Sequence, residues 1–232
     1  MKEKRLPTYI PGFDGIIQGG LKERSINLVL GGTGTGKTLF AIQYLVNGIK
    51  KNGETAIYIT FEERKEKLYS DMKSVGIDLA EYEKKCKFVF LQYNPEQVKK
   101  VLIEGGGTIE SLISKSKAKR LVIDSITSFS LLYKDELTRK EAALSLFELI
   151  NDWGCTAVLT ALQTIGDHEI FSTTLEFEVD SLIVLSNPKK KGVRRRACEI
   201  LKMRGTKHPL KTMEMNITNK GVSLNPKKIV QN

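Results

Sequence analysis

The sequence lacks the features that mark secreted and membrane proteins. No stretch of its 232 residues approaches the ~20 consecutive apolar residues of a membrane-spanning helix. Residues 1–13 carry charge but no apolar segment, so we expect no signal peptide. The three cysteines, Cys86, Cys155 and Cys198, fit neither a disulfide framework nor metal-ligand spacing. We therefore expect a cytoplasmic protein without membrane contact, whose cysteines are buried as small apolar residues.

Internal repeats and low-complexity segments are absent as well. The length suits one large α/β domain or two small ones, with roughly 70% of the unfolded surface buried on folding. The formal net charge of +10 favours anionic partners. Nucleotides, nucleic acids and acidic proteins all meet that description, and charge alone does not distinguish them.

Strands alternate with helices as far as about residue 186, which predicts a parallel sheet covered on both faces. We expect one domain over residues 1–232, with an irregular lead-in at 1–24 and a C-terminal β extension at 187–232. The predicted strands are 26–30, 55–61, 88–91, 121–123, 156–161 and 181–185, followed by 197–204, 212–218 and 222–224. The predicted helices are 38–50, 66–75, 95–117 (broken by glycines at 105–107) and 138–153.

A glycine-rich segment follows the first predicted strand and opens the first predicted helix. It reads GGTGTGKT over residues 31–38 and matches the P-loop pattern G-x-x-x-x-G-K-[ST]. Glycines let the backbone approach phosphates closely, and successive N–H groups converge on the anion at the helix N-terminus. We expect Lys37 to contact the β- and γ-phosphates and Thr38 to bind Mg²⁺. The expected nucleotide ligands here are Gly31, Gly32, Thr33, Gly34, Thr35, Gly36, Lys37, Thr38 and Leu39.

Polar residues follow three other predicted strands. Asp124 ends the hydrophobic strand LVID, next to the P-loop in such a sheet, where we expect it to hold Mg²⁺ through water. Glu62 and Glu63 follow the strand TAIYITF and either activate a water for attack on the γ-phosphate or are merely solvated. Gln163 follows the strand TAVLTAL, where its amide senses the γ-phosphate, positions water or merely caps the strand end.

Five segments spanning residues 10–224 together resemble the RecA superfamily and, within it, the KaiC-like ATPases. IPGFD at 10–14 with QGGL at 18–21 resembles the family's opening motif, residues 31–38 its Walker A, and 121–125 its Walker B. The glutamates after Phe61 stand where the family carries its paired catalytic glutamates. The most specific segment is RRR at 194–196 with EILKMRGT at 199–206, which resembles R-R-x-x-x-I-L-K-x-R-G-T.

The resemblance implies a RecA-like core that binds and hydrolyses ATP with Mg²⁺. It implies that Glu62 and Glu63 are catalytic, with Glu63 as the general base. Lys202 and Arg204 would reach across a subunit boundary to the neighbour's γ-phosphate, as an arginine finger does, and His208 would contact the nucleotide from the same side. The implied assembly is a homohexameric ring with ATP sites between subunits, in a regulatory or signalling role.

The chain departs from the family's clock proteins in two ways. Those proteins carry two such domains in tandem, whereas this chain carries one. Their Ser-Thr phosphorylation pair corresponds to Glu176 and Phe177 here, so we expect neither self-phosphorylation at that place nor a circadian role. Nothing marks the nearby hydroxyls of Ser172, Thr173 and Thr174 as targets.

A strongly basic stretch precedes and overlaps the most specific segment. Its residues either line a subunit interface and a solvated loop, or follow the backbone of a nucleic acid. No aromatic residues are interleaved for base stacking, so nucleic acid is the less favoured partner. The stretch comprises Lys189, Lys190, Lys191, Arg194, Arg195, Arg196, Lys202, Arg204, Lys207 and Lys211.

Three functions remain open at this point. The favoured one is a ring-forming ATPase. The second is a recombinase-like, DNA-binding ATPase of DNA repair, motivated by the positive charge. The third is an interaction module that binds ATP with little hydrolysis and acts through a protein partner.

Overall fold

A computed structural model describes residues 3–230 apart from 104, 106, 131, 134, 164–175 and 191. It contains a nine-stranded sheet flanked by helices, with two short antiparallel strand pairs. The strands are β1 (Arg5–Leu6), β2 (Leu21–Lys22), β3 (Ile26–Gly31), β4 (Ala56–Thr60), β5 (Phe88–Gln92), β6 (Arg120–Asp124), β7 (Thr156–Leu162), β8 (Ser181–Ser186), β9 (Lys189–Lys190), β10 (Val193–Arg194), β11 (Ala197–Met203), β12 (Met213–Thr218) and β13 (Gly221–Ile229). The helices are α1 (Lys37–Asn52), α2 (Lys65–Ser74), α3 (Leu79–Lys84), α4 (Pro95–Ile103), α5 (Gly107–Ser116), α6 (Ile126–Ser130) and α7 (Glu136–Asp152).

The strand order in the sheet is β13-β12-β11-β8-β3-β7-β6-β4-β5. Six neighbouring strands run parallel to one another, namely β8, β3, β7, β6, β4 and β5. Strands β11, β12 and β13 extend the sheet beyond β8, and each is antiparallel to its neighbour. We call the edge at which the parallel strands end the carboxyl edge, and the opposite edge the amino edge. The predicted α/β fold, with its parallel sheet and C-terminal β extension, is confirmed.

Apart from the edge strand β5, the parallel strands are buried on both faces, which explains their nearly continuous apolar sequences. In β3, Val29 belongs to the first hydrophobic cluster, on one face of the sheet, and Leu28 to the second, on the other face. Helix α1 covers the first face, where Phe40 packs edge to face on Phe13 with 5.3 Å between ring centroids. Helices α4, α5, α6 and α7 contribute to the cluster on the second face.

The helices agree with prediction except for two short ones. The predicted helix at 95–117 is divided into α4 and α5 around Gly105, as the glycines indicated; Gly106 lies outside the described residues. Helices α3 and α6 were not predicted, because six and five residues are too few to show a helical period. No helix within the described ranges is both long enough and apolar enough to cross a membrane.

The lead-in is more ordered than predicted. It contains β1, β2 and a 3₁₀ turn at Asp14–Ile17, and it buries Ile10, Phe13 and Ile17 in the first hydrophobic cluster. The carboxylate of Asp14 fixes the fold of this segment by accepting hydrogen bonds from the N–H and hydroxyl of Thr8 and from the N–H of Tyr9. The prediction of an irregular segment was wrong because hydrogen bonds from side chain to backbone stabilise this fold, and such bonds leave no periodic pattern in the sequence.

The last strand is longer than predicted. It was expected to end at 224, before Asn225-Pro226, but β13 continues to Ile229. Proline removes a backbone donor, yet β13 is the edge strand of the sheet, where that loss is tolerated. The hairpin of β12 and β13 packs on α1, where the amide of Gln43 bonds both the C=O and the N–H of Val222.

The cysteines behave differently from one another. Cys155 and Cys198 are buried as predicted, and burial raises the pKa of each thiol to about 12. The prediction was wrong for Cys86, which is exposed. It lies in the turn between α3 and β5 with φ 53°, where its side chain points away from the core.

Candidate nucleotide-binding site

The glycine-rich loop connects β3 to α1 at the carboxyl edge. Gly34 and Gly36 have φ of 75° and 99°, in the region that L-residues rarely adopt. A Cβ atom on Gly36 would lie 2.7 Å from Cδ1 of Ile217, and one on Gly31 would lie 2.4 Å from the carbonyl oxygen of Leu185. The motif therefore needs glycine for its backbone angles and for close packing against β8 and β12.

The lysine of the motif is held by the loop itself. The Nζ atom of Lys37 donates to the carbonyl oxygens of Gly31 at 2.7 Å and Gly32 at 3.0 Å. The hydroxyl of Thr35 donates to the same Gly32 oxygen at 2.8 Å. Burial lowers the pKa of Lys37, and the negative charge of Asp124 opposes that shift. Thr38 is half-buried in the first turn of α1, Leu39 is buried, and Thr33 is exposed.

Asp124 ends β6 at the same edge and is 6% exposed. Its carboxylate accepts a hydrogen bond of 2.9 Å from the hydroxyl of Tyr58 and another from the hydroxyl of Thr160. These donors stand on β4 and β7, the strands on either side of β6. Burial and the charge of Asp124 raise the pKa of Tyr58, so this donor keeps its proton. The carboxylate is thus held in one orientation while each oxygen keeps a lone pair for a further partner.

The two glutamates lie beside Asp124. In the parallel pairing of β4 with β6, Thr60 is directly opposite Asp124, and Glu62 and Glu63 follow. The N–H groups of both glutamates donate to the hydroxyl oxygen of Thr60, at 3.3 and 3.1 Å. Glu62 is exposed and Glu63 half-buried. Partial burial, then the charges of Asp124 and Glu63, raise the pKa of Glu62, which places three carboxylates in one electrostatic group.

Gln163 follows β7 next to the P-loop. Its backbone N–H donates to the carbonyl oxygen of Gly31 at 3.2 Å, the same oxygen that Lys37 contacts. Its side chain is exposed. The backbone therefore ties this strand end to the loop, and the amide side chain is available to a ligand at the carboxyl edge.

Lys202 and Arg204 lie far from the P-loop of their own chain. Strand β11 runs antiparallel to β8, so that Cys198 is opposite Leu185 near the P-loop while Lys202 is opposite Leu182. The N–H of Arg204 donates to the carbonyl oxygen of Asp180, beyond the start of β8. Five residues separate this position from Leu185, about 16 Å along a strand. Neither side chain spans that distance, so the structure does not bring the pair to the P-loop of the same chain.

His208 lies in the connection from β11 to β12 and is half-buried. Its Nδ1 atom is 3.3 Å from the carbonyl oxygen of Pro209. This connection leaves β11 at the amino edge, where the hydroxyl of Thr206 accepts a hydrogen bond of 2.8 Å from Arg5. The histidine therefore belongs with Lys202 and Arg204 rather than with the P-loop.

The basic stretch forms a hairpin of β9 and β10 that leaves the sheet where β8 ends, at the carboxyl edge. Arg194 donates to the carbonyl oxygen of Asn187 at 3.0 Å, and Arg195 lies 3.8 Å from the carboxylate of Glu214. The hairpin residues Lys189, Val193 and Arg194 are exposed. Lys191 lies outside the described residues, as do Ser172, Thr173 and Thr174.

Sequence reasoning missed three hydroxyls of the site, those of Tyr58, Thr60 and Thr160. Thr60 and Thr160 are wholly buried, and both lie at the carboxyl ends of apolar strands. A polar residue near the end of an otherwise apolar parallel strand is a usable signal, because such ends meet at one edge of the sheet. The partner of the Tyr58 and Thr160 hydroxyls depends on strand order, which the sequence does not state, whereas Thr60 binds N–H groups that follow it in the chain.

Comparison with known proteins is consistent across sequence and structure. The family model described as "ATPase: KaiC" matches residues 6–229. UPF0273 protein MJ1359 of Methanocaldococcus jannaschii is 32% identical, with 98% of this chain and 99% of the relative covered. The circadian clock oscillator protein KaiC of Synechococcus elongatus is 33% identical over 96% of this chain but only 44% of its own length. The crystal structure of the KaiC-like protein PH0186 of Pyrococcus horikoshii matches with a TM-score of 0.84 and 35% identity, covering 97% of this chain and all of that one.

Proposed function

The chain belongs to the KaiC family of ATPases, and on that premise we propose that it binds Mg-ATP and hydrolyses it at sites shared between identical subunits of a ring. The observation that supports this most is the meeting of the P-loop, Asp124 and the glutamate pair at one edge of the sheet. A hexamer is the ring that the family resemblance implies. The biological role would be regulatory or signalling.

The phosphates would occupy the concave face of the P-loop. The N–H groups of residues 32–38 would bind the β- and γ-phosphates, and Lys37 would exchange its two loop carbonyls for phosphate oxygens. The lowered pKa of Lys37 fits a site from which water is excluded. Gln163, fixed through its backbone to Gly31, would contact the γ-phosphate with its amide.

Magnesium would be held between Thr38 and Asp124. Among the described residues no cluster of three or more His, Cys, Asp and Glu forms a metal site. That fits Mg²⁺ in a nucleotide site, because this ion uses one or two protein oxygens and takes the rest of its shell from phosphates and water. The ion would neutralise the charge that develops on the phosphates.

Glu63 would act as the general base. Its N–H is fixed by Thr60 and its carboxylate is half-buried, so it would accept a proton from the attacking water at the carboxyl edge. Glu62 would support it electrostatically, since the two carboxylates and Asp124 act on one another. The Lys202–Arg204 pair and His208 would come from a second copy, because the same chain's pair lies at the opposite edge.

The experiment that tests this proposal is ATP hydrolysis by the purified protein beside the Glu63→Gln variant. We expect turnover to fall by about 10²–10⁴-fold in the variant, because a positioned base contributes that much. ATP affinity should survive, since the P-loop is untouched. Glu66→Gln, an exposed glutamate of α2, is the matched control and should hydrolyse ATP at the wild-type rate. Equal turnover in both variants would contradict the role of Glu63.

A DNA-dependent ATPase is the second candidate, favoured by the exposed basic hairpin at the carboxyl edge. The same assay with single-stranded DNA distinguishes it. Turnover that rises with DNA and falls steeply with salt would support this candidate. Bound ATP without turnover, with or without DNA, would instead support a nucleotide-gated interaction module.

A further inference from the structure

The Lys202–Arg204 pair is bound to a short turn of its own chain. Residues 176–180, of which 176–178 are helical, precede β8 and form the segment that we call the turn. The Nζ atom of Lys202 donates to the carbonyl oxygens of Glu176 at 2.9 Å and Phe177 at 3.0 Å. The guanidinium of Arg204 donates to the same Phe177 oxygen. These carbonyls are the unpaired acceptors at the end of a helical turn, and cations are their natural partners.

The turn is itself attached firmly to the sheet. Its last residue, Asp180, accepts a hydrogen bond of 2.9 Å from the N–H of Ile26 and donates its own N–H to the Ile26 carbonyl oxygen at 2.9 Å. The carbonyl oxygen of Asp180 accepts the N–H of Arg204 at 2.9 Å. One residue thus joins the turn to the start of β3 and to the end of β11.

Charge favours the same arrangement. Lys202 and Arg204 repel one another, and burial followed by this repulsion lowers the pKa of Lys202. The carboxylates of Asp180, Glu178 and Glu176 act in the opposite direction and favour the charged lysine. The three carboxylates therefore offset part of the repulsion between the two cations, which the backbone carbonyls hold side by side.

We propose that residues 176–180 are the positioning element of the trans-acting cation pair, holding Lys202 and Arg204 together and charged for the γ-phosphate of a second copy. This inference rests on the proposed function. The turn itself does not touch the nucleotide in this scheme and acts only through the two cations.

The number of N–H donors left on Lys202 and Arg204 favours a turn that positions the two cations over one that blocks them from a phosphate. The ammonium group has three N–H donors, and the described contacts use two of them. The guanidinium has five donors, and its described side-chain bond uses one nitrogen. Both cations therefore keep donors for a phosphate while the turn holds them from behind.

The test is the double variant Glu176→Gln/Glu178→Gln in the full chain, assayed for ATP turnover across pH. We expect kcat to fall about five- to ten-fold, because each partly exposed charge contributes less than a tenfold effect. KM for ATP should stay within about two-fold, since the P-loop carries ground-state binding. The alkaline limb of the pH profile should move to lower pH, because without the carboxylates Lys202 loses its proton more easily.

Two matched variants separate charge from structure. Glu176→Asp/Glu178→Asp keeps both charges and should restore turnover and the alkaline limb. Glu96→Gln/Glu110→Gln removes two exposed carboxylates from α4 and α5 and should leave both unchanged.

Unchanged or increased turnover in Glu176→Gln/Glu178→Gln would overturn the positioning role, provided that Lys202→Ala is strongly impaired. Increased turnover would identify the turn as an inhibitory clamp instead. Full turnover in Lys202→Ala would contradict the trans-acting role of the cation pair itself. The positioning role of residues 176–180 depends on that role and would be contradicted as well.

Discussion

At the amino edge of the sheet, the cations Arg120, Lys202 and Arg204 are bound by partners from the same chain, whereas three clustered carboxylates at the carboxyl edge have no cation beside them in the described part of the chain. Arg120, wholly buried where β6 begins, pairs with Glu54 at 2.5 Å, and Lys202 and Arg204 bind carbonyls of the preceding turn. At the carboxyl edge, Asp124, Glu62 and Glu63 bind only hydroxyls or repel one another, with no ion-pair partner within 4 Å among the described residues. The amino-edge cations are held in place by their own chain, and the three carboxylates are arranged for a ligand that supplies positive charge.

Among the side chains at the amino edge, removing the guanidinium of Arg204 should give the largest effect on activity. We expect Arg204→Ala to lower ATP turnover by about 10³-fold, the lower range for an arginine finger. Nucleotide affinity should change little, because in the proposed arrangement the P-loop belongs to another copy. Lys207→Ala, which removes an exposed charge three residues on, is the control for net charge. Similar losses in both variants would mean that the amino edge contributes only general electrostatics.

Removing Arg120 should give the largest effect on stability. Its guanidinium donates to the carboxylate of Glu54 and to the carbonyl oxygens of Tyr44 at 3.2 Å and Pro7 at 2.8 Å. The guanidinium carbon also lies 4.7 Å from the centre of the Tyr44 ring. Arg120→Ala leaves the buried carboxylate of Glu54 without its cation and, among the described residues, with only the hydrogen bond from the amide of Asn52, at a cost of about 3–5 kcal/mol. Thermal unfolding should show Tm lowered by roughly 10 °C or more.

The control for this stability prediction is Lys119→Ala, an exposed neighbour that should unfold near the wild-type Tm. The double variant Arg120→Met/Glu54→Gln should be less destabilised than Arg120→Ala, since it leaves no unpaired charge. If the double variant unfolds at a lower temperature than Arg120→Ala, the pair stabilises the fold through the packing of its side chains rather than through charge compensation.

The smallest effect on stability should come from Glu62→Gln, which should raise Tm, whereas Arg120→Ala lowers it. Partial burial and two neighbouring carboxylates raise its pKa in the folded protein, so its charged form destabilises the nucleotide-free fold. Glu62→Gln should therefore raise Tm at pH 7, and the difference from wild type should vanish near pH 4, where Glu62 is protonated folded or unfolded. A Tm difference that persists at pH 4 would point to packing instead.

The sequence was sufficient to place those parts of the candidate site that lie in consecutive residues. The P-loop needs its glycines, Lys37 and Thr38 at fixed spacing, and alternating strands and helices predicted the parallel sheet that surrounds it. Asp124 was placed by the same logic, because an apolar strand behind a P-loop ends at the same edge. Local pattern and global fold agree in these parts of the chain.

Interactions between distant segments were not predictable. Arg120 reads as an ordinary charged residue before a strand, and its partner Glu54 lies 66 residues away in sequence. The hydroxyls of Tyr58 and Thr160 reach Asp124 only because β4 and β7 flank β6. The pairing of β11 with β8 shifts register between Ile200 and Lys202, and Leu201 is exposed there. A regular alternation of buried and exposed residues along a strand does not predict such a shift. Such features follow from strand order and register, which three-dimensional packing decides.

The measurement that most directly tests the division of the site between two copies is complementation in mixed rings. Glu63→Gln has an intact cation pair but no base, and Lys202→Ala/Arg204→Ala has an intact base but no cations. Subunits of the two variants should be inactive alone and should regain ATP turnover when mixed under conditions that exchange subunits, because some interfaces then combine both intact halves. A mixture that stays as inactive as its components, although mass measurement shows mixed assemblies, would contradict the account.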